Sequence, residues 1–156
     1  MTPKDDSNLR SIAKNRRATH EYEILEELEC GIGLVGTEVK SLRDGQCSLA
    51  EAYAVFKRGE LWLLGAHIPV YAMGNIHNHD PVRARKLLAH KRELRAWDKR
   101  VREKGVTIVP LVIYFKGALV KVALGLGRGK KMHDKRQASR EKDDKRAMDR
   151  AMSRRR

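Results

Sequence analysis

The feature that most constrains this chain is a pair of short apolar segments, each folded back on a basic residue and a glycine. Val106–Phe115 and Ala118–Leu126 flank Lys116-Gly117, and Ala52–Lys57 and Glu60–His67 flank Arg58-Gly59. Apolar runs that stop at a glycine-containing dipeptide and resume beyond it predict β-hairpins. After Gly117, Val120, Val122, Leu124 and Leu126 share one parity while Lys121 and Ala123 take the other, as in a strand with one buried face.

A longer strand precedes these. Tyr22, Ile24, Leu28, Cys30, Ile32 and Leu34 share one parity, and Leu25-Glu26 interrupts it, which predicts a bulge. Gly31 and Gly33 let such a strand coil tightly. Thr37–Asp44 reads as a short helix capped by Thr37 and ended by Gly45. A loop with Gly74, Asn75, Asn78 and Pro81 comes next. Leu87, His90, Leu94, Trp97 and Val101 then recur at spacings of three and four, predicting a helix that Asp80 could cap and Gly105 would close. Five or six strands, two to three helices and no βαβ alternation favour a mainly β fold with flanking α-helices. The expected architecture is an antiparallel β-barrel of the oligonucleotide-binding kind with a basic C-terminal tail.

The apolar pattern is confined to residues 15–129, a domain long enough to bury about two-thirds of its unfolded surface. Residues 1–14 read as a flexible leader without a signal-peptide core, and residues 130–156 as a tail disordered when free and helical on a binding partner. Formal net charge is +14. Lys130–Arg156 holds twelve Lys/Arg against five Asp/Glu, which is +7, so half the excess sits in the tail. Charge of this size points to an anionic partner, nucleic acid first. No segment reaches the ~20 apolar residues of a membrane span. Cys30 and Cys47 lack zinc-site spacing, and a reducing cytoplasmic setting fits them.

Several motifs invite sharper readings. Gly31-Ile32-Gly33-Leu34-Val35-Gly36 matches G-x-G-x-x-G but lacks the βαβ unit a dinucleotide needs, so glycines bending a barrel strand are favoured. Gly125–Lys131 is not a P-loop, since no Ser/Thr follows its lysine in place; it reads equally as a close approach to RNA phosphates or a flexible exit from the last strand. His67, His77 and His79 could ligate a metal, but no fourth donor stands near, and a hydrogen-bonding loop is favoured. Glu21, Glu23, Glu26, Glu27 and Glu29 crowd one strand and read as solvated carboxylates rather than a divalent-ion site. Ser11, Ser41 and Ser48 have no nucleophile context. No catalytic residue, metal or cofactor is implied.

The blocks Asn15-Arg16-Arg17-Ala18, His20-Glu21-Tyr22, Gly36-Thr37-Glu38-Val39-Lys40-Ser41-Leu42-Arg43, Asp80-Pro81, Arg83, Arg85-Lys86-Leu87-Leu88, Lys91-Arg92-Glu93-Leu94 and Gly129-Lys130-Lys131 stand in one order with His133-Asp134-Lys135-Arg136. In that order and spacing the chain resembles the SsrA-binding protein family, also called small protein B, from about Asn15 to Arg136. The resemblance implies an adaptor of trans-translation that holds the tRNA-like domain of transfer-messenger RNA (tmRNA, SsrA RNA) and enters a stalled ribosome. The nascent chain would be tagged for proteolysis and the ribosome rescued. The tail would probe the empty 16S decoding centre and mRNA channel, with no bond chemistry, no membrane and no small-molecule substrate. Position by position, Asn15, Arg16, Arg17, Glu29, Leu88, His90, Lys121, Gly129, Lys130 and Lys131 resemble RNA-contacting positions, and His133, Asp134, Lys135 and Arg136 the start of the ribosome-reading tail.

Two other classes compete. A general or ribosomal RNA-binding barrel predicts similar affinity for many RNAs. An enzyme built on the acidic strand and loop histidines predicts metal-dependent turnover, lost on changing Glu21 or His79.

Overall fold

The computed structural model of the protein describes residues 9–73, 78–103, 105–130, 140 and 142–150. Its elements run β1 (Leu9–Lys14), α1 (Arg16–Glu21), β2 (Tyr22–Ile32), α2 (Gly36–Arg43), β3 (Tyr53–Lys57), β4 (Glu60–Leu64), β5 (Arg85–Leu88), α3 (Lys91–Val101), β6 (Val106–Lys116) and β7 (Leu119–Gly129). All strand pairings are antiparallel. The order β6-β3-β4-β5-β2-β7 returns to β6, so six strands close a ring. One edge of β6 pairs with β7 throughout, while its other edge is shared: Ile108 opposes Ala54 of β3, and Val112–Lys116 oppose β1. With no parallel pair among the described residues, the glycine run from Gly31 to Gly36 has no dinucleotide-binding frame there.

The turns have local chemical causes. Arg58 and Gly59 both take positive φ (54° and 78°), the geometry whose twist matches a two-residue hairpin. The second hairpin turns on Gly117-Ala118, one residue beyond the expected pair, because Lys116 still opposes Leu119. The bulge expected in the first long strand is present between Ile24 and Glu26. A second bulge, between Pro110 and Val112, accommodates a proline that cannot donate to a central ladder. Gly65 is required outright: its φ is +74°, and a Cβ there would lie 2.4 Å from the Glu51 carbonyl oxygen.

The strand interiors supply the core. Leu61 and Leu63 of β4 and Val122, Leu124 and Leu126 of β7 are fully buried, joined by Leu42 from α2 and Trp97 from α3. Among them lies one ion pair. Glu38 and Arg85 are both fully buried, with Arg85 Nε 2.5 Å from Glu38 Oε2. Arg85 also donates to the carbonyls of Ala66 (2.9 Å) and Pro81 (3.2 Å). Glu38 Oε1 accepts from Arg83 (2.6 Å) and from the Val35 N–H (2.9 Å), which caps α2. Burial alone would raise the Glu38 pKa. The hydrogen bonds from Arg83, Val35 and Arg85 outweigh it and hold the carboxyl below its ordinary 4.5.

Four expectations are corrected. Leu9–Lys14, read as flexible leader, is a strand on β6; residues 1–8 lie outside the described residues. The N-cap of α2 is Val35, since the Thr37 hydroxyl is engaged with His79 Nδ1 (2.9 Å). The helix expected to include Leu87 begins at Lys91, because Arg85–Leu88 pairs with β4 and β2. Asp80 caps a turn, accepting from the Val82 N–H at 3.0 Å, and not that helix. The six-residue helix α1, capped by Asn15, had no periodicity to announce it.

Removing one partner of a buried pair strands the other, so Glu38→Gln should cost about 3–5 kcal/mol of stability, measurable by urea unfolding at pH 7. The folded carboxyl binds its proton less readily than the unfolded one. The contribution is therefore complete above pH 4.5, declines as pH falls through and below that value, and should be absent from the glutamine variant.

Candidate nucleic-acid interface

The outer face of β5-β2-β7-β6-β1 carries two side-chain rows set by strand register. Leu88, Gly31, Lys121, Tyr114 and Ser11 oppose one another across five strands, and Glu29, Ala123, Val112 and Lys14 form the next row. Both rows line a groove of about 970 Å³, walled on one side by Ala89, His90 and Glu93. Four of the RNA-contact candidates, Glu29, Leu88, His90 and Lys121, therefore share one concavity. Leu88 stands on β5, 52% exposed. A Cβ at Gly31 would sit in ordinary contact with that of Leu88, at 3.5 Å, so the leucine lies directly over this glycine. His90 is the exposed N-cap of α3, and its side chain makes no capping bond.

Glu29 is held from across the sheet. The Tyr114 hydroxyl donates to Glu29 Oε2, and Lys116 Nζ lies 3.3 Å from Oε1. Burial, then the bond to Glu29, drives the Tyr114 pKa well above 10, so the phenol stays a donor. Sequence alone could not single out Tyr114, because its relation to Glu29 exists only across β7.

The remaining candidates gather around α1. Asn15 turns inward: its Nδ2 donates to the Pro110 carbonyl (2.9 Å), its Oδ1 accepts from the Ala18 N–H (3.3 Å), and its own N–H bonds Leu111 O (2.8 Å). It fastens α1 to the β6 bulge. Arg16 is exposed, and Arg17 bridges Glu21 (2.7 Å) and Glu51 (3.1 Å). Gly129 opposes Tyr22, and Lys130 donates from its backbone to Glu21 O (2.9 Å) and from Nζ to Thr19 O (3.1 Å). Gly31 lies nine positions along β2 from Tyr22, roughly 30 Å at strand rise. A single nucleotide cannot touch both groups, whereas a folded RNA can. Lys131, His133, Asp134, Lys135 and Arg136 lie outside the described residues.

Neither reading of Gly125–Lys131 holds for its first half. Gly125 and Gly127 are buried in β7, where added Cβ atoms would come within 3.1 Å of Leu111 and 3.0 Å of Tyr22. Their bareness admits the side chains of Leu111, Ile24 and Tyr22. His79 is buried with both ring nitrogens engaged, Nδ1 to Thr37 and Nε2 to the Ile68 carbonyl (2.8 Å), while His77 lies outside the described residues. On the acidic strand, Glu26 pairs with Arg100 at 3.2 Å. Among the described residues no group of three His, Cys, Asp or Glu could hold a metal, and no helix is long and apolar enough to cross a membrane. Cys30 and Cys47 are free thiols that burial pushes up to about 12 and about 11.

A closed antiparallel barrel with a lined groove, a basic helix α3 at its wall and a second basic cluster at α1 defines a protein of the RNA-binding class. The family model described as SmpB protein matches residues 12–154, and the chain belongs to this family. The SsrA-binding protein of Kineococcus radiotolerans is 54% identical over 144 residues, covering 92% of each chain. That of Thermosynechococcus vestitus is 50% identical over 149 residues, 95% of this chain and 98% of its own. A chain from a solved structure described as "tmRNA-SmpB: a journey to the center of the bacterial ribosome" superposes with a TM-score of 0.66 at 53% identity, over 77% of this chain and 85% of that one.

Two substitutions separate scaffold from contact. Asn15→Ala should lower stability by about 1–2 kcal/mol in urea unfolding, through loss of a cap and a buried hydrogen bond. Lys121→Ala should leave stability nearly unchanged and flatten the slope of log K against log salt for RNA binding by about one.

Proposed function

We propose that this chain binds the tRNA-like domain of tmRNA, brings it to stalled ribosomes and works there as an adaptor of trans-translation. The observation that carries the reading is half-or-better identity to SsrA-binding proteins along nearly their whole length. The groove supports it, because Glu29, Leu88, His90 and Lys121, four of the positions that match the family's RNA contacts, converge on one face. In this reading Glu29, Leu88, His90 and Lys121 meet RNA within the groove. Arg16, Arg17, Gly129, Lys130 and Lys131 meet its backbone at the α1 end, with Asn15 acting by placing α1. The protein supplies shape and charge in the cytoplasm, and peptide tagging and ribosome release proceed without a reaction of its own.

The tail is assigned to the decoding centre and mRNA channel, beginning with His133, Asp134, Lys135 and Arg136 and continuing toward the C-terminus. Arg140 and residues 142–150 are helical, and their described side chains are all exposed. A helix this short is marginal without a surface to pack on. The ribosome's RNA offers that surface, and the tail's charge complements it.

Affinity for the isolated tRNA-like domain, set against elongator tRNA across a salt series, tests the reading. A preference surviving ~200 mM salt is expected from shape recognition, whereas nonspecific phosphate contacts weaken steeply with salt. Equal binding to both RNAs would leave only a general RNA-binding barrel. Removing residues 131–156 should preserve most of that affinity and abolish tagging on stalled ribosomes; full tagging by the truncated protein would sink the assignment of the tail.

A further inference from the structure

The groove contains one donor arrangement that the RNA reading does not by itself explain. Glu29 stands on β2 and Tyr114 on β6, with β7 between them. Neighbouring strands lie ~4.8 Å apart, so the two backbones are separated by roughly 10 Å. Tyr114, opposite Lys121 in register, reaches diagonally across β7 to Glu29, which faces Ala123 on that strand. Lys116, two residues on along β6, reaches the other carboxylate oxygen. Each oxygen of Glu29 is thus fixed by its own donor, both from one strand.

We propose that Tyr114 is a positioning residue for RNA recognition, holding the Glu29 carboxylate aimed into the groove as a pre-set acceptor. This rests on the RNA-binding function proposed above. An ionised carboxylate only accepts hydrogen bonds. What it takes from RNA is therefore a donor edge, either a base amino or imino N–H or a ribose hydroxyl. Leu88, half-exposed in the same groove, offers an apolar surface for the base, and Lys121, opposite Tyr114 in register, offers a cation for the phosphate. A carboxylate on a free side chain would lose rotamer freedom on binding, and one already held loses less. The phenol's raised pKa keeps it a donor across the physiological range.

The test is a double-mutant cycle on the full chain, reading the dissociation constant for the tRNA-like domain. Tyr114→Phe keeps the ring, and its thermal midpoint serves to confirm the fold. It should weaken binding about tenfold, the scale of one charge-assisted hydrogen bond. Glu29→Gln should weaken binding at least as much, and the double variant should bind no worse than Glu29→Gln alone, since the tyrosine acts through the glutamate. The salt slope should be unchanged in Tyr114→Phe, because no phosphate contact is lost. Wild-type affinity in Tyr114→Phe, or a double variant weakened by the product of the two single effects, would overturn the proposal and leave Tyr114 a packing residue. Wild-type protein that does not prefer the tRNA-like domain over elongator tRNA would instead overturn the RNA reading, and this inference with it.

Discussion

The Glu38–Arg85 ion pair is the interaction on which the placement of the other parts depends. Two charges removed from water are costly unless geometry and further hydrogen bonds compensate. Here Arg85 also meets the carbonyls of Ala66 and Pro81, and Glu38 also meets Arg83 and the Val35 N–H. The partners come from helix α2, strand β5 and the connections on either side of them. The pair therefore specifies where these pieces sit, a role an apolar contact of the same volume would fill with less direction. The consequence for the groove is immediate. Arg85 and Leu88 are the two ends of the four-residue strand β5, so the anchor at one end fixes the exposed leucine at the other.

Much of the fold was legible in the sequence because period-two alternation is a direct imprint of a sheet with one buried face. The bulge at Leu25 was legible for the same reason, since one extra residue flips the parity. Strand β5 was not. Its Leu87 lies three and seven residues before His90 and Leu94, so a helix period ran on through a strand too short to show its own. The burial of Arg85 was invisible, because its partner Glu38 is forty-seven positions away. Strand β1 has only a fragmentary alternation, and its pairing is decided by the free edge of β6 rather than by its own residues.

The candidate site was legible in a different way. Charge and composition pointed to nucleic acid, but they could not separate Lys121 from the other lysines. Glu29 and Leu88 came from family resemblance, and register sets them with Lys121 in adjacent rows on one face. For Asn15 the structure adds what resemblance does not carry, the hydrogen bonds of its side chain to the Pro110 carbonyl and the Ala18 N–H. Tyr114 shows the limit of linear reading, because a partner two strands away leaves no spacing to recognise. The glycines of β7 mislead for a related reason. They look like a phosphate loop, and their use is to leave room for Tyr22 and Leu111.

The divided edge of β6 bears on how the chain behaves in a crowded solution. Strand β3 occupies that edge only near Ile108, and the ring of six strands would close without β1. Left bare, the stretch from Val112 to Lys116 would present a row of unsatisfied N–H and C=O groups beside Tyr114 and Phe115, a ready template for another polypeptide. Six residues from the N-terminal segment cover it. The strand that helps wall the groove thus also shields that stretch of β6 from edge-to-edge pairing, and trimming it would leave the edge bare.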